Sequence, residues 1–246
     1  MIRIARTAGT VSTIARTVAA DRTPALVTIR PRGEPRGAVL IAHGGQSRGH
    51  ARDSHLRSPA LRMLPFLLDI SRAGRRHGIA VAQLRYRVTG YNEGDPVADV
   101  GWALARLAER FGVPVCLVGH SMGARAALRA AGEPAVTAVA ALAPWCPPAE
   151  PVDQLAGRTI LIAHGVRDRI TDPARSLAYA ERAHAAAARV ARFELAGTGH
   201  AMLERLWTWH SVTRRFALAA LGLAPFEPRL ADAFGLPPDC AVRVPL

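Results

Sequence analysis

The sequence predicts an α/β fold: a doubly wound, mostly parallel sheet with helices on both faces. Three observations carry this reading. Short apolar runs alternate along the chain with longer helical patterns. Most of the runs are largely apolar instead of alternating with polar residues, which suits parallel strands buried on both faces. Residue types able to do chemistry stand directly after these runs, at the strand ends where such sheets bind ligands.

The elements follow in order. Residues 1–24 read as an N-terminal arm: Arg3, Arg6 and Arg16 stand among small and hydroxylated residues, and no acid precedes Asp21. The arm lacks the continuous apolar core of a secretory signal. Residues 25–223 form one domain. Residues 25–29 fit an antiparallel edge strand, and residues 38–42, 79–84, 115–118, 136–142 and 159–163 fit parallel strands, with residues 190–195 the last. A helix over 60–76 follows Pro59 and shows Leu61, Leu64, Leu67 and Leu68 on one face. A helix over 97–111 follows Asp95-Pro96, with proline at the first turn. An alanine-rich run covers 124–131, and a helix over 173–188 follows the capping pair Thr171-Asp172. A helix over 201–221 carries Met202, Leu206, Trp209, Val212 and Phe216 at core-facing spacing. Residues 224–246 read as a proline-rich tail on the surface.

Composition narrows the function. All 32 basic residues are arginine, and the net charge is +13. The arginines are scattered and no nucleic-acid motif accompanies them, so the charge reads as coding bias and not as a nucleic-acid footprint. No stretch is long and apolar enough to span a bilayer. Three cysteines, Cys116, Cys146 and Cys240, form no CxxC pair, which suits free thiols in a reducing cytoplasm. No histidines or cysteines have zinc-site spacing, so no metal is expected.

The decisive motif is Gly119-His120-Ser121-Met122-Gly123, G-x-S-x-G, between the apolar run at 115–118 and the alanine-rich run at 124–131. Strand, sharp turn and helix are the context of a nucleophile elbow. Three other strand ends complete a set. His43-Gly44-Gly45-Gln46 follows the run at 38–42, His164-Gly165-Val166-Arg167-Asp168 follows that at 159–163, and Gly197-Thr198-Gly199-His200 follows the last strand. The chain order is serine, aspartate, histidine.

At these residues the chain resembles the α/β-hydrolase superfamily over roughly residues 25–221. The nearest flavour is the compact serine hydrolases: esterases, dienelactone-hydrolase-like and serine aminopeptidase-like proteins. Dienelactone hydrolases proper carry a cysteine nucleophile, and haloalkane dehalogenases an aspartate, where this chain has Ser121. The resemblance implies a Ser121–His200–Asp168 triad, no cofactor and a small-molecule acyl substrate. His200 takes the serine proton and Asp168 orients the imidazole. The oxyanion donors are expected at the backbone of Met122 and Gly45, with Gln46 as the alternative to Gly45. Glu150 and Asp153 are the alternative acids. His43 and His164 read as structural histidines bonded to loop backbone, and His120 as packing beside the nucleophile.

The interval 143–157 is too short for a cap domain, so the substrate site should be shallow and open. Loops 46–58 and 85–95 are the candidate covers, and Gln46, Tyr86 and Trp145 the candidate substrate contacts.

Overall fold

The computed structural model describes residues 23–246, so the N-terminal arm falls, but for its last two residues, outside the described residues. Among the described residues eight strands form one sheet: β1 Ala25–Ile29, β2 Gly37–Ala42, β3 Ile79–Arg85, β4 Val115–His120, β5 Val136–Leu142, β6 Thr159–Gly165, β7 Arg189–Leu195 and β8 Val244–Pro245. Their order is β1-β3-β2-β4-β5-β6-β7-β8. Only β1 runs antiparallel, against β3, and every other pairing is parallel. β1 is half-buried while β2 and β4 are buried at every residue, which is why the edge strand lacks their continuous apolar character.

Helices cover both faces. α1 Ser58–Gly74 and α5 Leu206–Ala220 pack on one face, where Met63, Phe66, Leu67, Trp209 and Phe216 meet Val39, Val118 and Phe193. α2 Asp95–Phe111, α3 Met122–Arg129 and α4 Pro173–Ala183 cover the other, around Leu40, Leu117 and Ile160. The N-terminus of α4 is capped by Asp172, whose carboxylate accepts from Ala174 N at 2.9 Å.

Four elements differ from their sequence reading, and the first is α4, which ends at Ala183 and not at 188. In α1 the face that meets the sheet is Ala60, Met63, Phe66, Leu67 and Ile70, whereas Leu61, Leu64 and Leu68 stay exposed. The last long helix begins at Leu206 and not at 201, because Met202 and Arg205 take left-handed backbone (φ 59° and 54°) that no helix accommodates. The tail forms α6 Pro228–Gly235, α7 Pro238–Ala241 and β8, which adds to the sheet beside β7. Leu230, Ala233 and Val242 are buried there.

Strand order places the chemistry. From β2 the chain winds to β3 on one side, then crosses back to β4 on the other, making a topological switch point between β2 and β4. Ala42 lies opposite Gly119, so the glycine loop after β2 and the elbow after β4 emerge side by side. Gly165 lies opposite Leu195, so the loops bearing Asp168 and His200 are also neighbours. Between β5 and β6 the described chain forms one 3-10 turn, Asp153–Leu155, and no separate cap domain. Among the described residues no helix is long and apolar enough to cross a membrane.

Candidate active site

The elbow is built by close packing. Ser121 sits at φ 56°, ψ −117°, a left-handed conformation unusual for a residue with a Cβ. Strain of this kind costs about 1–3 kcal/mol and persists only where its surroundings enforce it. Two glycines do the enforcing. A Cβ on Gly119 would lie 2.5 Å from Ala124 Cα, and one on Gly123 would lie 2.3 Å from the Ala42 carbonyl oxygen. Strand β4, helix α3 and the end of β2 can therefore converge on Ser121 only with glycine at both positions. Ser121 N donates to Leu142 O at 3.0 Å, and Trp145 N donates to Ser121 O at 3.2 Å, pinning the turn from β5.

Asp168 and His200 meet. His200 Nδ1 lies 2.8 Å from Asp168 Oδ2. The carboxylate is heavily solvated by protein: Oδ1 accepts from Ile170 N (2.8 Å) and Thr171 N (3.0 Å), and Oδ2 also from Thr171 Oγ1 (2.8 Å). Burial alone would raise its pKa, but these bonds together with those from His164 and His200 hold it far below the usual carboxylate range. Asp168 is thus an anion whose Oδ2, shared with Thr171 Oγ1, faces the imidazole Nδ1, the arrangement that leaves Nε2 available for base work. Among the described residues no hydrogen bond joins Ser121 Oγ to His200.

His120 braces the histidine loop. Its Nε2 is 3.0 Å from the His200 carbonyl, and the two rings lie 4.8 Å apart. Burial, reinforced by the neighbouring His200, lowers its pKa to about 3. The ring is therefore neutral, and its Nε2–H donates to His200 O.

The glycine loop after β2 faces Ser121, since a Cβ on Gly44 would touch Ser121 Cβ at 3.4 Å. Of the two candidate oxyanion donors there, Gln46 spends its N–H on Thr89 O at 3.0 Å, which leaves Gly45. Met122, the first residue of α3, presents an N–H without an intrahelical partner.

The remaining candidates separate. Trp145 stands beside Ser121, its ring edge-on to Tyr91 at 5.5 Å, with the Arg125 guanidinium 3.9 Å from the Tyr91 ring and 4.5 Å from its own. Gln46 is exposed on the loop. Tyr86 is fully buried, and its hydroxyl donates to His43 O at 3.1 Å, so it supports the glycine loop from beneath and cannot reach a substrate. Glu150 is paired with Arg125 at 2.9 Å and is no rival for the histidine. His43 turns one ring nitrogen to Gly44 O (2.7 Å) and the other to Asp53 Oδ2 (2.9 Å). His164 is the surprise: its Nε2 lies 3.2 Å from Asp168 Oδ2, the oxygen that also faces His200. A histidine four residues before the acid, at the same strand end, was the available signal.

No family model and no curated protein matches the chain. Solved structures do. A serine hydrolase without lid from Xanthomonas campestris, XC6422, superposes with TM-score 0.58 at 17% identity, covering 83% of this chain and 91% of that one. A putative alpha/beta hydrolase from Agrobacterium tumefaciens, ATU1826, gives TM-score 0.62 at 15% identity over 82% and 94%. The monoacylglycerol lipase of Paleococcus ferrophilus gives TM-score 0.59 at 14% identity over 80% and 99%. Likeness at such identities is likeness of fold: the chain has the α/β-hydrolase fold.

Proposed function

We propose that this chain is a serine hydrolase that cleaves an ester or related acyl bond through an acyl-enzyme. The observation that carries the proposal is the 2.8 Å contact of Asp168 with His200, beside a serine held at φ 56° in the elbow. Ser121 Oγ attacks the acyl carbon while His200 Nε2 takes its proton. The tetrahedral oxyanion is held by the N–H groups of Met122 and Gly45. His200 then returns the proton to the leaving group, and water repeats the sequence to free the enzyme. The Ser121–His200 bond closes in the reacting complex, as catalytic hydrogen bonds commonly tighten only once substrate is bound. The solved neighbours named as serine hydrolases and as a lipase support the same class.

Labelling by a fluorophosphonate probe tests the reading. Wild type should label and Ser121→Ala should not; equal labelling would remove Ser121 as nucleophile. A panel of nitrophenyl esters of increasing chain length, with a thioester and an anilide, then ranks esterase against thioesterase and amidase activity. The absent Ser121–His200 bond favours one rival, a binding protein on the same fold. Failure to turn over any member of the panel would favour that rival.

A further inference from the structure

Asp168 Oδ2 serves two histidines, and the second is wired into the core. His164 is completely buried. Its Nε2 faces Asp168 Oδ2 and Thr171 O, each at 3.2 Å and each only an acceptor, so Nε2 carries a proton. Its Nδ1 lies 2.8 Å from Ser176 Oγ. Ser176 Oγ also accepts from Arg192 Nε at 3.0 Å and donates to Pro173 O at 2.9 Å. Pro173 O accepts as well from Arg192 Nη2 at 3.2 Å. Contacts thus run without a break from Arg192 through Ser176 and His164 to Asp168. Arg192, itself buried, is held by Glu194 (2.7 Å) and by Val242 O (3.0 Å) from the C-terminal segment.

From this geometry we infer that His164 is a positioning residue for the candidate triad: it fixes the Asp168 carboxylate and draws off part of the charge that faces His200. The inference rests on the function proposed above. The charged and titratable groups around the pair are His200 and His164 on the carboxylate, Arg192 with Glu194 behind Ser176, His120 against His200, and Arg62, which reaches Ala201 O at 2.7 Å. A donor on Oδ2 draws off negative charge, so the protonated form of His200 is less stabilised than beside an unshared carboxylate. Removing the donor should therefore raise the pKa of His200. A residue that merely filled space would leave it unchanged.

The test compares wild type, His164→Phe and His164→Gln, the last able to return an N–H near the lost Nε2. Two readouts are needed: kcat and KM against pH for 4-nitrophenyl acetate, and the His200 ring titration by NMR. His164→Phe should lower kcat about tenfold, part of the 10²–10⁴ due to the acid–base step, with KM unchanged. Its acid limb and its His200 titration should both move up. His164→Gln should return both toward wild type. An unmoved titration in His164→Phe, or a His164→Gln as impaired as it, would overturn the inference. Should His164→Phe not fold, the long-range ¹H–¹⁵N spectrum of wild type decides. A His164 protonated on Nε2 supports the inference, and a ring protonated on Nδ1 alone overturns it. Titration and tautomer are read without turnover, so failure of the hydrolase reading, seen as Ser121-independent labelling, is distinct from failure here.

Discussion

Replacing Asp168 by Asn separates the chemistry of the acid from its shape. The amide NH₂ must face one of two sets of partners. At the Oδ1 position it would confront Ile170 N and Thr171 N, now 2.8 and 3.0 Å from an acceptor, and leave the buried Thr171 donor and the part-buried Ile170 donor unpaired. The buried one alone costs about 1–3 kcal/mol. At the Oδ2 position it meets Thr171 Oγ1, which has Ala143 O at 3.2 Å as another acceptor, and the two imidazoles. His164 keeps Thr171 O at 3.2 Å, and His200 adapts by moving its proton from Nδ1 to Nε2. The second orientation therefore wins. It leaves His200 folded in place with a proton on the nitrogen that, in the proposed mechanism, accepts one from Ser121. A wrong tautomer costs about 10⁴ in kcat, or about 5 kcal/mol in the transition state. The assay is kcat and KM on 4-nitrophenyl acetate, with circular dichroism to show an unchanged fold. A kcat within about tenfold of wild type would refute the argument and take Asp168 out of the catalytic set.

Three further outcomes follow from the same contacts. Gly123→Ala puts a methyl 2.3 Å from the Ala42 carbonyl, a backbone atom that cannot swing away, and should cost at least about 1–3 kcal/mol; thermal unfolding indistinguishable from wild type would show the elbow to be looser than described. His120 has its pKa lowered to about 3, below its unfolded value, so its contribution is complete above about pH 6.5 and is lost as pH falls below that. Urea unfolding between pH 4 and 7 should then show wild type losing up to about 3 kcal/mol more than His120→Gln on acidification; parallel curves would contradict the neutral ring. On α1, Leu64→Gln should change stability by no more than about 0.5 kcal/mol, whereas Phe66→Ala should cost about 3–5 kcal/mol by denaturant unfolding; the reverse order would exchange the two faces of the helix.

What the sequence made legible follows from what burial does to residue choice. Strands β2 to β6 lie between two helical layers, and burial on both faces leaves mostly apolar residues, so each run is visible by itself. Glycine at 119 and 123 was likewise visible because close backbone approach tolerates nothing else. The face of α1 was not, because two apolar sets run at helical spacing there. Leu61, Leu64 and Leu68 form one, Ala60, Met63 and Ile70 the other, and periodicity alone gives no phase. In the tail, Pro228 and Pro238 suggest loop, yet proline in a first helical turn costs no hydrogen bond, and both begin short helices.

The site shows the same division more sharply. Ser121, Asp168 and His200 stand at strand ends, and the spacing of strands brings them to one edge of the sheet without any knowledge of side-chain contacts. Tyr86 was misplaced because an aromatic after β3 reads as a pocket wall, and only coordinates reveal its hydroxyl under His43. Arg192 carried a signal that periodicity passes over. It is a charge between the buried Ala191 and Phe193, and a buried charge requires partners. Following those partners leads through Ser176 and His164 to Asp168, so the least compatible residue of β7 is the one that ties the C-terminal segment to the acid. A buried arginine is costly to a fold unless every donor is met. Here its donors are met by β7, α4 and the tail together, which is a physical reason for the sheet to continue past its last long helix.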